Sequence, residues 1–272
     1  VYKRQTYNAA ALAYCGSAIY LTDEDQCSQA NQMGIGTTAA ITYLATQKDV
    51  RVINGSFGPD PAAGEKTWAT GDLAEEATAV RASLMAGQIL TIAAGNERAK
   101  APVYGENPSG IGLFPFINPS NAFKTNSAGE RIYSGSDTAD FSDMTDASLA
   151  AAEAADGIKR GRIIVVVATD SQKVIADYSN TCGVAAEWCI AAPGGTYDDS
   201  VERPIYSTYT GGTYKALQGT SMAAPHVAGA LAVLIEAFPT YTPAQITNIL
   251  FETAEDLGGF EQDVGDLGRG VG

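Results

Sequence analysis

Ile163-Ile164-Val165-Val166-Val167-Ala168 is an unbroken run of six apolar residues. A strand that is apolar on both faces belongs inside a sheet covered on both sides, which is the usual condition of parallel sheets. Working outward, Val50-Arg51-Val52-Ile53-Asn54 is a second β-branched strand that ends at Gly55, and Gln88-Ile89-Leu90-Thr91-Ile92-Ala93 is a third. Between those two, Leu73, Ala77, Val80 and Leu84 recur at helical spacing, and Gly87 is a favourable helix stop. Met222 to Phe238 reads as a mostly apolar helix. Thr242-Pro243-Ala244-Gln245 has capping-box spacing, with Pro at the first helical position of a last helix. Strands alternating with helices predict an α/β fold: a mostly parallel central sheet with helices on both faces. Residues 97–160 hold Pro102, Pro108, Pro115 and Pro119 and an Ala-rich helical stretch from Ala147 to Ala155. This region reads as a loop-rich, insertion-like part of one domain spanning 1–272.

The 272 residues carry 17 Lys and Arg against 31 Asp and Glu, a net charge of −14. A chain this acidic lacks the electrostatic footprint of a nucleic-acid binder and is poorly suited to anionic membranes. Its apolar mid-chain runs fall far short of the ~20 residues a spanning helix needs. Cys15, Cys27, Cys182 and Cys189 form two close pairs in sequence. Four cysteines allow three connectivities, and buried free thiols are a further reading. The local pairing, Cys15–Cys27 and Cys182–Cys189, closes two short loops, each contributing roughly 2.5–3 kcal/mol on the loop-entropy account. Paired cysteines point to an oxidising compartment, the periplasm or outside the cell. Neither the cysteine spacing nor the histidine content fits a zinc site.

Gly219-Thr220-Ser221-Met222-Ala223-Ala224-Pro225-His226-Val227-Ala228-Gly229 leads small residues into the start of an apolar helix. A helix N-terminus carries unpaired N–H groups and partial positive charge, so Ser221 there sits beside a ready-made anion site. That suits a nucleophile whose attack creates an oxyanion. Taken alone, Gly-Thr-Ser is equally an ordinary N-cap. The eleven-residue string as a whole resembles the nucleophile motif of the subtilisin-like serine peptidases, and Val52-Ile53-Asn54-Gly55-Ser56-Phe57-Gly58 and Ala93-Ala94-Gly95-Asn96 resemble two more of their segments in the expected order. The resemblance implies Ser221 as nucleophile and Asn96 as oxyanion-hole donor. It also implies Ser56, Phe57, Gly58, Ala93, Ala94 and Gly95 as peptide-binding backbone, since a strand edge binds extended peptide through main-chain hydrogen bonds. Tyr178 to Gly183, with Trp188 to Gly194, is similar to the subtilase domains of bacterial autotransporters, as is Gly268-Arg269-Gly270. That likeness implies an exported protein, at the cell surface or beyond it via the periplasm, with a pro-segment and a C-terminal translocator outside the chain.

A subtilase carries Asp, His and Ser in that order. The 55 residues before Ser56 contain no His, and Asp23 and Asp25 lie in an acidic run poor in strand formers. The only His, His226, lies five residues past Ser221, a rotation of ~140° and a rise of ~7.5 Å along one helix, so the two side chains diverge. A sedolisin-like Ser–Glu arrangement is disfavoured by Asn96, where that branch carries Asp, and an α/β-hydrolase by the lack of a Gly-x-Ser-x-Gly elbow. The sequence therefore predicts an N-terminally incomplete peptidase domain, inactive alone, with its Asp and His upstream. The alternative is a pseudo-peptidase that binds extended peptides without cleaving them. No cofactor is expected; structural calcium is a family habit that no motif here supports. The expected partners are polypeptide substrates, with neither nucleic acid nor membrane contact by this segment. An incomplete domain also predicts exposed apolar surface.

Overall fold

The computed structural model describes residues 35–58, 73–108, 112, 124–125, 131–132, 162–198, 201–209, 213–255 and 257. Helix α1 spans Ile35–Ala45, β1 Val52–Gly55, α2 Leu73–Met85, β2 Ile89–Ala93 and α3 Pro102–Gly105. Two-residue strands β3 (Lys124–Thr125) and β4 (Arg131–Ile132) pair with each other, and β5 runs Ile163–Thr169. A 3₁₀ turn, Gly183–Trp188, leads into β6, Cys189–Pro193. Then come β7 (Thr196–Asp198), β8 (Val201–Arg203), β9 (Ile205–Tyr209), β10 (Thr213–Leu217), α4 (Thr220–Ala237) and α5 (Pro243–Glu252).

The expected parallel sheet forms in the order β1-β2-β5-β6, all neighbours parallel. Every residue of β1, β2 and β5 is buried. Alternate residues divide between the two faces. Val52, Ile89, Ala93, Ile164, Val166, Ala168, Ile190 and Ala192 pack with Ala223, Ala224, Val227, Ala228 and Leu231 of α4, which crosses all four strands. On the other face Val165 and Val167 pack with Trp188 and Ala185 of the 3₁₀ turn. Helices α1 and α2 pack on each other, and Gln88, at the entry to β2, reaches them both. It accepts a hydrogen bond from Ser83 Oγ at 2.7 Å and donates to the Leu44 carbonyl at 2.7 Å. Arg162 donates to the carbonyls of Leu84 and Gln88, so a cation stands at the C-terminus of α2, where the helix dipole favours one. Burial holds the Arg162 pKa below its usual value.

Local signals decide the boundaries. Helix α2 stops before Gly87, which has φ +90°. At α5 the capping box closes in both directions: Gln245 N donates to Thr242 Oγ1 (3.3 Å) and Thr242 N donates to Gln245 Oε1 (2.9 Å). Helix α4 begins at Thr220, two residues before the sequence pattern suggests, because the Thr220 N–H has a partner outside the helix. Of the two expected disulfides, Cys182–Cys189 forms, with a Cα separation of 5.7 Å, and closes the 3₁₀ turn that carries Trp188. Cys15, Cys27, Gly268–Gly270 and the Ala147–Ala155 stretch lie outside the described residues. Among the described residues only α4 is long and apolar enough to cross a bilayer, with 18 residues and mean hydropathy 1.3. Its inner row is the core contact just described, while its outer row, including Ala230 and Val233, is exposed.

Behind the ends of the strands, Tyr178 donates its hydroxyl hydrogen to the Gly195 carbonyl at 2.7 Å. Burial raises its pKa to about 12, the Gly219 backbone opposes that rise, and Asp170 adds to it.

Two measurements check this packing. Gln88→Leu strands the buried Ser83 hydroxyl and lowers unfolding free energy by about 1–3 kcal/mol, and adding Ser83→Ala recovers part of the loss; denaturant titration reads both. The Tyr178 phenol is neutral in the fold and its pKa is raised from 10.0 to about 12. Its contribution to stability is complete below the unfolded value and is lost as pH rises through that interval, where the unfolded chain ionises first. Phenolate absorbance shows a late-titrating component that Tyr178→Phe removes, along with this decline in stability.

Candidate active site

The C-terminal ends of β1 and β2 and the N-terminus of α4 meet at one cleft. Gly219 has φ +148°, a conformation that suits glycine, and its N–H donates to the Gly194 carbonyl at 3.0 Å. This turn aims the first residues of α4 at the end of β2. Thr220 N–H and Thr220 Oγ1 both donate to Asn96 Oδ1, at 2.8 and 3.0 Å, and Thr220 Oγ1 accepts from Gly95 N at 3.2 Å. With two donors on its oxygen, the Asn96 amide has its Nδ2 hydrogens left to give. Asn180, fully buried, holds the backbone on both sides of Asn96: its N–H donates to the Gly95 carbonyl (3.0 Å), and its Oδ1 accepts from Glu97 N–H (2.9 Å).

Ser221 lies in the first turn of α4, half-buried, and its Oγ donates to the Ser56 carbonyl at 3.3 Å. The Ser56 hydroxyl returns a bond of 2.9 Å to the Ser221 carbonyl. Ser221, Asn96, Ser56, Phe57, Gly58, Ala93 and Gly95 therefore line one cleft of about 330 Å³. Ala94 differs: it is fully buried and packs with Val165, Val167 and Trp188, so its side chain lies in the core beneath the cleft. Alternation along an extended strand accounts for this, since Ala93 before it packs on the opposite face, against α4.

Sequence reasoning did not assign Thr220, Asn180, Glu97 or Lys100. Glu97 and Lys100 also line the cleft. They lie one and four residues after Asn96 in sequence, and that proximity was the available clue. Thr220 was inside the nucleophile string, but its hydroxyl contact to Asn96 spans 124 residues.

His226 is exposed, and its ring Nδ1 lies 2.8 Å from the Met222 carbonyl oxygen, one turn back on its own helix. That contact directs the imidazole along the α4 surface rather than to the Ser221 hydroxyl. Among the described residues no three His, Cys, Asp or Glu side chains are grouped as metal ligands.

A hydroxyl at a helix N-terminus, an amide donor beside it and two strand ends make a constellation suited to acyl transfer on an extended peptide. Known proteins are similar to this chain. Subtilisin DY of Bacillus licheniformis is 43% identical over 100 residues, which cover 37% of this chain and 32% of that protein. Serotype-specific antigen 1 of Mannheimia haemolytica is 43% identical over 101 residues, 35% of this chain and 10% of that protein. The aligned part thus spans about a third of the length of the first and a tenth of the second. The crystal structure of the nisin leader peptidase NisP from Lactococcus lactis superposes with a TM-score of 0.51 at 20% identity, covering 82% of this chain and 58% of that one, which shows a shared fold. The Subtilase family profile, Peptidase_S8, matches residues 16–270, so the chain belongs to the subtilase family of serine peptidases.

Proposed function

We propose that this chain supplies the nucleophile and oxyanion half of an exported serine endopeptidase. The observation that carries the reading is the pair of Thr220 hydrogen bonds to Asn96 Oδ1, which leave an amide donor beside the Ser221 hydroxyl. An extended polypeptide pairs with the backbone of Ser56–Gly58 and of Ala93–Gly95. Ser221 Oγ attacks the scissile carbonyl carbon and loses its proton to a histidine. The carbonyl π pair moves onto oxygen, where Asn96 Nδ2 and the Ser221 N–H hold the resulting oxyanion. Collapse expels the amine, which takes the proton from the histidine, and leaves an acyl-serine ester. Water, deprotonated by the same histidine, then hydrolyses that ester.

The 272 residues hold one His, and it faces away from Ser221. In this proposal the base, and the Asp that orients it, come from a part of the peptidase outside these residues. The pseudo-peptidase reading draws on the same lone histidine, but peptide binding alone has no use for a serine nucleophile beside a restrained amide donor. The Cys182–Cys189 disulfide supports export through an oxidising compartment. So does the company of an extracellular serine protease from Serratia marcescens among the relatives. A pro-segment and a translocator outside the chain belong to the same proposal.

The 272-residue chain alone gives no peptide hydrolysis that Ser221→Ala abolishes; a fluorogenic peptide assay showing such hydrolysis contradicts the placement of the base. In the complete peptidase, Ser221→Ala removes turnover. There Asn96→Ala lowers kcat by roughly 10²–10³, a magnitude taken from subtilisin itself rather than calculated from this structure. A complete protein that binds peptides but never cleaves them is the pseudo-peptidase.

A further inference from the structure

Pro225 stands inside α4, at the position whose N–H would bond the Ser221 carbonyl in regular i→i−4 geometry. Proline has no N–H to give. The nucleophile's carbonyl instead accepts from the Ser56 hydroxyl at 2.9 Å, across 165 residues of sequence. That hydroxyl is oriented in turn: Asn54 Nδ2 donates to Ser56 Oγ at 2.8 Å. Thr91 Oγ1 donates to Asn54 Oδ1 at 3.3 Å. Asn54 and Thr91 are buried, opposite each other in the β1–β2 register. The donors run one way, from Thr91 to Asn54 to Ser56 to Ser221. The Asn54 amide, having accepted from Thr91, presents its NH₂ to the Ser56 oxygen, and the Ser56 proton is left for the Ser221 carbonyl.

We infer that the Ser56 hydroxyl is a positioning residue for the nucleophile, and that Thr91 and Asn54 form the relay that aims it. The sheet thereby fixes the backbone of Ser221 at the point where Pro225 releases it from its own helix. This role is separate from the backbone of Ser56, which binds substrate. It rests on the serine-peptidase reading above, and it makes Asn54, a residue outside the cleft, matter for turnover.

The test has two arms. In the complete peptidase, Ser56→Ala lowers kcat about tenfold with KM within about twofold, less than the ~10²-fold that a 1 Å misplacement costs. Ser56→Thr, which keeps the hydroxyl, restores turnover. Asn54→Asp replaces the amide donor with an acceptor that draws the Ser56 proton away from Ser221. It matches Ser56→Ala, and the double variant is no worse than either single one. In the 272-residue chain, the carbonyl ¹³C resonance of Ser221 moves in Ser56→Ala and Asn54→Asp and keeps its place in Ser56→Thr. Unchanged kcat in Ser56→Ala, multiplying losses in the double variant, or an unmoved Ser221 resonance each overturns the relay. Should the complete peptidase show no turnover that Ser221→Ala abolishes, the peptidase reading fails, and the carbonyl resonance alone decides whether Ser56 anchors Ser221.

Discussion

The site depends on the hydrogen bonds from Thr220 to Asn96 Oδ1. They join the first residue of α4 to the end of β2, and so, in the proposed mechanism, the nucleophile to its oxyanion donor. An asparagine with a free side chain could present either end of its amide. Saturating the oxygen with two donors leaves only the nitrogen end for a developing anion, and does so before substrate arrives. Such preorganisation is where electrostatic catalysis gains most, because no dipole need reorient as charge forms. The surrounding structure serves that contact. Gly219 turns the chain toward it, Asn180 holds the backbone on both sides of Asn96, and the core of α4 against the sheet keeps the helix end in place.

The large elements were legible in sequence because their signals are local. Ile163–Ala168 reads as a buried strand, Gly87 ends α2, and the Thr242–Gln245 box opens α5 as its spacing suggests. The nucleophile string and the Asn96 turn were legible for a different reason, their resemblance to a family. The supports of the site were not. Apart from the local Asn54–Ser56 bond, Thr220, Asn180 and the Asn54 relay act through contacts whose partners lie 37 to 165 residues away. No periodicity or propensity encodes such pairings. The exposed hairpin of β9 and β10 was missed as well. Most of its residues are exposed, so it lacks the in–out alternation that marks a half-buried strand.

Ser56 brings binding and chemistry together in a few atoms. In the proposed mechanism its backbone pairs with an extended peptide, while its carbonyl receives the Ser221 hydroxyl and its own hydroxyl returns to the Ser221 carbonyl. Pro225 makes this reciprocity possible by giving up a helical hydrogen bond next to the nucleophile. The helix N-terminus, the amide donor and the strand ends all stabilise negative charge or position peptide, and none of them accepts a proton. In the proposed mechanism the chemistry therefore divides between these groups, which handle the oxyanion, and a base brought to the Ser221 hydroxyl from outside these residues.

The most direct measurement is a crystal structure of the complete peptidase inhibited by a peptide aldehyde. The account predicts a tetrahedral adduct on Ser221 Oγ whose oxygen lies about 2.7–3.1 Å from both Asn96 Nδ2 and the Ser221 N–H. An adduct whose oxygen turns away from Asn96, or an aldehyde bound with no bond to Ser221, contradicts it.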